Sequence, residues 1–97
     1  MTVNKSYVYI LKCADNTLYT GWTNNLVNRF NQHQSGHGSK YTRVRLPVHL
    51  VYTEEYAEKN LAMKREAEIK AMSRREKLDL ISMSPTQTQQ LLGNIDF

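Results

Sequence analysis

Residues 7–33 read YVYILKCADNTLYTGWTNNLVNRFNQH, and the fold depends on how this stretch divides. Tyr7-Val8-Tyr9-Ile10-Leu11 is a run of aromatic and branched residues without a charge, the pattern of a strand buried on both faces. Ala14-Asp15-Asn16-Thr17 supplies turn residues, because Asp and Asn tolerate the backbone angles of a reversal. Leu18-Tyr19-Thr20-Gly21-Trp22 resumes a strand pattern, so the pair reads as a β-hairpin, although no Asn-Gly or Asp-Gly sets its turn type. Thr23, Asn24 or Asn25 then caps a helix. At about 100° per residue Leu26, Val27 and Phe30 form its apolar stripe, and Arg29 and His33 fall on the edge of that stripe. Two accounts of that pair stand level: both side chains hold an anionic group, or Arg29 snorkels to water and His33 is a satisfied half-buried histidine.

Working outward, Gln34 to Lys40 (QSGHGSK) ends the helix at Gly36, and Gly36-His37-Gly38 opens a loop whose backbone can approach a ligand closely. Lys40, Tyr41, Thr42, Arg43 and Arg45 follow, cations with an aromatic between them. Such a loop can clasp a phosphate backbone and stack a base, or be a solvated connector. After Pro47, the alternation of Val48, Leu50 and Tyr52 against His49, Val51 and Thr53 marks a third strand with His49 outward. From about Tyr56 to Met72 the composition is helical. Within it Glu66 has Ala62 and Met63 one turn before and Ile69 one turn after, so its carboxylate emerges in a partly apolar strip. Glu68, beside Lys64, Arg65 and Met72, is explained by an exposed ion pair. Ser73-Arg74-Arg75-Glu76 matches a capping box that opens a short final helix with Leu78, Leu80 and Ile81 on its apolar side. Met1 to Ser6 is a polar start expected to fray. Residues 83–97 (MSPTQTQQLLGNIDF) read as a flexible tail, leaving one domain over residues 1–82.

At 97 residues the chain is near the small end of what buries its own core. A 40% hydrophobic and 23% charged composition is that of a globular domain. The single cysteine, Cys13, excludes an internal disulfide and reads as small apolar filler in a strand. Cys13, His33, His37 and His49 are scattered singly, without zinc-ligand spacing. No leader and no apolar run long enough to span a bilayer is visible, so a cytoplasmic, non-membrane protein is expected. The net charge of +4 is compatible with a polyanionic partner without requiring one.

With Tyr7-Val8-Tyr9 in the first strand, Tyr19-Thr20-Gly21 in the second, and Arg29, His33 and Glu66 following in order, the chain resembles the GIY-YIG nuclease superfamily. More closely it resembles the small stand-alone UPF0213 group of bacteria, in YVYILKCADNTLYTGWT, HQSGHGSKYTR and REAEIKAMSRREK. It departs from the superfamily pattern in having Tyr7 for Gly, Thr20 for Ile, and Trp22 where several members carry a basic residue. The resemblance implies an α+β fold, a three-stranded antiparallel sheet flanked by helices in the order β-β-α-β-α-α. It implies that Tyr19 is the general base or orients the attacking water, and that Tyr9 supports the nucleophile side. Arg29 would neutralise the scissile phosphate, and His33 would assist proton transfer or position Tyr19. Glu66 would bind one Mg²⁺ or Mn²⁺. Gly21 would stand where the chain leaves the second strand and a side chain would crowd the phosphate. Trp22 stacks on an unpaired base or plugs the core, and Lys40, Tyr41, Arg43 and Arg45 complete the expected nucleic-acid surface.

The implied activity is metal-dependent endonuclease cleavage of nucleic acid, DNA in preference to RNA, in repair or recombination. Sequence specificity would be low, or supplied by substrate structure, a protein partner or a homodimer. The alternative is a catalytically weak nucleic-acid-binding module of the same fold. The chemistry is coherent: phosphodiester hydrolysis needs an activated water and neutralised charge on phosphorus, and a tyrosine of pKa ~10 needs neighbouring positive charge to serve as base. One carboxylate suffices for a cation that keeps waters and takes a substrate phosphate as ligand.

Overall fold

The computed structural model describes residues 5–83 and is built around β1 (Ser6–Lys12). This strand lies between β2 (Leu18–Thr23) and β3 (His49–Tyr56), antiparallel to both, in the sheet order β2-β1-β3. A central strand covered on each face has no solvent side, hence its uncharged run: Val8, Ile10 and Leu11 are fully buried and Tyr9 nearly so. In the β1–β2 turn the Asp15 carboxylate accepts from the Thr17 amide at 3.1 Å and hydroxyl at 2.6 Å, beside Asn16 at φ 68°.

Helix α1 (Leu26–Gln34) is capped by Asn25, whose side chain accepts from the Asn28 amide at 3.1 Å. Its buried residues are Leu26, Phe30 and His33, whereas Val27, expected in the apolar stripe, is 47% exposed. The reason is angular: His33 falls within about 20° of Leu26 around the helix axis, and Val27 about 100° away. An imidazole therefore occupies a core position. The segment expected to be an irregular loop contains a one-turn helix, α2 (Lys40–Arg43), capped by Ser39. Four residues carry no readable periodicity, so sequence pattern alone could not reveal it.

Strand β3 runs through Tyr56, into the segment expected to be helical, and α3 (Lys59–Lys70) starts later than composition implied. Ile10 pairs with Tyr52 but Leu11 with Leu50, so Val51 is an extra residue at a bulge. The bulge breaks the expected alternation. Leu50 packs with Tyr9, Leu11, Cys13, Leu26, Phe30 and Val48 on the α1 side, while Tyr52 joins Val8, Ile10, Ala62 and Ile69 on the α3 side. Helix α4 (Arg74–Met83) opens with the capping box: the Ser73 amide donates to the Glu76 carboxylate at 3.0 Å and the Glu76 amide to Ser73 Oγ at 3.1 Å. Leu80 and Ile81 pack on the second cluster, but Leu78 is 41% exposed. The architecture is α+β, a three-stranded antiparallel sheet with helices on both faces. Of the expected frayed start, Lys5 pairs with Glu55 at 3.1 Å and Ser6 belongs to β1. Of the expected tail, Met83 ends α4, and the rest lies outside the described residues. No described helix is long and apolar enough to cross a membrane.

Candidate active site

Strand alternation sends Tyr7, Tyr9 and Leu11 to the face that α1 covers, and Tyr19 and Gly21 on β2 point the same way. There the Tyr9 hydroxyl meets His33 Nε2 at 2.8 Å, with the rings edge-on. The other ring nitrogen, Nδ1, lies 2.8 Å from Thr42 Oγ1 on α2. Tyr9 is 2% exposed, and His33 and Thr42 are fully buried, so both imidazole nitrogens are satisfied inside the protein. Burial, followed by the Arg29 charge, pushes the His33 pKa down to about 4, so the ring is neutral at pH 7. His33 bonds Tyr9, and it meets Tyr19 only ring edge to ring, at 5.2 Å between centroids.

Tyr19 is held instead by rings. Tyr41 stacks near-parallel with it at 5.9 Å, and the Arg45 guanidinium sits 3.8 Å above Tyr41. Arg45 is itself tied to Asp15 at 3.0 Å and to the Tyr41 carbonyl at 2.9 Å. Tyr41 and Arg45, expected to face nucleic acid, lie at the surface and in this structure also brace Tyr19. Gly21 also differs from expectation: it lies inside β2, and what a side chain there would crowd is the Tyr9 phenol. A Cβ on Gly21 would stand 2.5 Å from Tyr9 Oη and 2.6 Å from Cζ.

Arg29 donates to the Gln32 side chain and to the Gly38 carbonyl, both at 3.1 Å, pinning the glycine loop against α1. Burial is the main cause that pushes the Tyr9 pKa up to about 12; Arg29 opposes the rise, and the Tyr19 and Glu66 charges add to it. His33 is hydrogen-bonded to the Tyr9 hydroxyl, while Arg29, Tyr19 and Glu66 act on it through their charges, Glu66 from α3. Ala62 and Ile69, one turn to each side of Glu66, are fully buried, so its carboxylate emerges on the sheet-facing side of that helix. It is 21% exposed and 3.7 Å from Lys70. Its neighbour Arg65 grips both oxygens of Glu54 at 3.0 and 3.2 Å, and the Tyr52 and Tyr56 hydroxyls donate to the same carboxylate, which locks the rotation of α3 on β3. Among the described residues no three His, Cys, Asp or Glu side chains gather as a metal cage. The donor set fits a cation that one carboxylate shares with waters and a substrate phosphate.

Trp22 is not part of this cluster. It packs half-buried against the second core on the α3 side of the sheet, where an indole fills space. Lys40 and Arg43 are exposed and, with Gly36, His37, Gly38 and Ser39, line an open depression of about 280 Å³ beside the site. Residues that sequence reasoning did not single out include Thr42, Ser39 and Gln34. The Gln34 amide exchanges two hydrogen bonds with the Val48 backbone, at 2.9 and 3.0 Å, joining α1 to the entry of β3. The only sequence sign of Thr42 was its place three residues after a Ser that follows a glycine.

The profile of the GIY-YIG catalytic domain matches residues 5–79. A UPF0213 protein of Syntrophus aciditrophicus is 54% identical over 84 residues, 86% of this chain and 97% of that protein. A UPF0213 protein of Clostridium perfringens is 57% identical over 77 residues, 79% of this chain and 83% of that one. The solution NMR structure of a UPF0213 protein from Bacillus halodurans superposes with a TM-score of 0.57 at 45% identity, covering 84% of this chain and 87% of that chain. A cluster centred on the two hairpin tyrosines, a profile spanning most of the chain and these relatives lead to one conclusion: the chain belongs to the GIY-YIG nuclease family, in its UPF0213 group.

Proposed function

We propose that the protein is a divalent-metal-dependent endonuclease that hydrolyses phosphodiester bonds in DNA, guided by substrate structure more than by base sequence. The observation that carries this reading is a buried tyrosine hydroxyl hydrogen-bonded at 2.8 Å to a fully buried imidazole, within the field of an Arg on the same helix as that imidazole. A buried tyrosine–imidazole pair whose protonation both burial and a nearby cation perturb is the kind of arrangement that catalytic sites concentrate. Glu66 would hold Mg²⁺ or Mn²⁺, and the bound ion would neutralise charge on the scissile phosphate. Arg29 faces the same phosphate and stabilises the charge that develops in the transition state. The attacking water delivers its proton to Tyr9 as Tyr9 passes its own to neutral His33, and Tyr19, braced by Tyr41, orients that water.

The raised Tyr9 pKa favours a second reading, a binding module with weak catalysis, because little tyrosinate forms at neutral pH. A cleavage panel decides between the two. Duplex, single-stranded, flap and four-way-junction DNA, and RNA, are incubated with Mg²⁺ or Mn²⁺ beside a Glu66→Ala variant. Metal-dependent cleavage that Glu66→Ala abolishes while DNA affinity persists supports the enzyme. Binding without cleavage on any substrate supports the module, and undiminished cleavage by Glu66→Ala refutes the metal assignment.

A further inference from the structure

The hydrogen bond between Tyr9 and His33 does not end at the imidazole. From Tyr9 Oη the chain of contacts runs to His33 Nε2 at 2.8 Å, from His33 Nδ1 to Thr42 Oγ1 at 2.8 Å, and from Thr42 Oγ1 to Ser39 Oγ at 2.9 Å. Exposure rises along it: Tyr9, His33 and Thr42 are buried, while Ser39 is partly exposed and lines the open depression beside Lys40 and Arg43. Helix α2 does not need this arrangement for its own cap. The cap bond is made by the Thr42 backbone amide to Ser39 Oγ at 3.1 Å, which leaves the Thr42 hydroxyl surplus to the helix. That hydroxyl has the Ser39 carbonyl only at 3.5 Å, a poorer partner than either the imidazole or Ser39 Oγ. Gly38 makes the approach possible. A Cβ there would lie 2.6 Å from His33 Cγ and 2.8 Å from His33 Cα, so only glycine lets the loop close over the ring.

We propose that Thr42 and Ser39 extend the site as a proton relay that connects Tyr9 to solvent at the Gly36–Arg43 depression. The inference rests on the endonuclease reading of the Tyr9 cluster and adds two residues that act through His33 without touching substrate. Each proton passes between neighbouring atoms of the chain. The attacking water gives its proton to Tyr9 Oη as the Tyr9 proton moves to His33 Nε2. The Nδ1 proton moves to Thr42 Oγ1, the Thr42 proton to Ser39 Oγ, and the Ser39 proton to a solvent molecule in the depression. The imidazole exchanges one tautomer for the other and never becomes a cation, as its burial demands. After product leaves, the same chain runs in reverse, with water at Tyr9 accepting the proton.

The test is Thr42→Val, which keeps the buried shape and removes the hydroxyl, beside Thr42→Ser, which restores it. The expected result for Thr42→Val is a loss of at least about 10-fold in kcat with KM little changed, recovered by Thr42→Ser, a part of the roughly 10²–10⁴-fold that a general acid–base group itself contributes. In the same variants, ¹⁵N NMR of the imidazole reports the His33 tautomer, which Thr42→Val should shift and Thr42→Ser preserve. Cleavage at the wild-type rate by Thr42→Val overturns the relay, as does a parallel loss of kcat and DNA affinity. Should the wild-type chain cleave nothing, the endonuclease reading and the relay built on it fall together, whereas wild-type cleavage that Thr42→Val leaves unchanged, or an unchanged His33 spectrum in Thr42→Val, overturns the relay alone.

Discussion

Gly21→Ala tests the site through a single methyl group. The added Cβ would lie 2.5 Å from Tyr9 Oη and 2.6 Å from Cζ, against an ordinary carbon contact of about 3.5 Å or more. The phenol must therefore retreat by about 1 Å, or β2 must move off β1. Tyr9 is only 2% exposed and packs among Leu11, Leu26 and Phe30, so the ring has no free volume to enter. Such overpacking costs about 1–3 kcal/mol. For a domain of this size each kcal/mol lowers Tm by about 4–8 °C, so a mid-range loss of about 2 kcal/mol lowers it by about 8–16 °C. Displacement of the ring by about 1 Å also spoils the 2.8 Å geometry of its bond to His33. A misplacement of about 1 Å at a reacting group costs up to about 10²-fold in rate. The expected outcome is a large fall in Mg²⁺-dependent cleavage and a lower Tm by circular dichroism, with DNA affinity by fluorescence anisotropy nearly unchanged. Wild-type cleavage and Tm would refute the reasoning. A loss confined to DNA affinity would return Gly21 to the phosphate surface.

The buried imidazole makes the fold acid-sensitive. The His33 pKa is pushed from its ordinary 6.5 down to about 4 by burial and then Arg29, so the unfolded chain takes up its proton first. The stabilisation from the neutral ring is complete above pH 6.5 and lost as pH falls through about 4, on the order of 3 kcal/mol in all. Tm measured against pH should fall more steeply below 6.5 for wild type than for His33→Gln, and matching slopes would refute this account. On the surface, replacing Lys40 and Arg43 by Ala should lower the salt dependence of DNA binding, by about one unit of slope for each phosphate that is no longer neutralised. An unaltered slope would place the phosphate-binding surface elsewhere on the chain.

The parts legible in the sequence are those that local chemistry decides. The hairpin, the Asn25 cap of α1, the Ser73–Glu76 capping box and the two-sided burial of β1 each follow from residues a few positions apart. Glu66 was also visible on its helix, because Ala62 and Ile69 flank it at one-turn spacing. Tertiary structure decided what those residues meet. Whether His33 serves Tyr9 or Tyr19 depends on which ring the packing of α1 brings within hydrogen-bond reach, and that ring is Tyr9. The bulge at Val51 divides Leu50 and Tyr52 between two faces, and no alternation pattern announces it. Tyr41 and Arg45 lie at the surface against Tyr19 and Asp15, partners distant in sequence that only the packed fold brings to them. Sequence determines where polar groups sit on each element; only the packed fold determines which of them satisfy one another, because a buried donor or acceptor must be paired and its partner can come from anywhere in the chain.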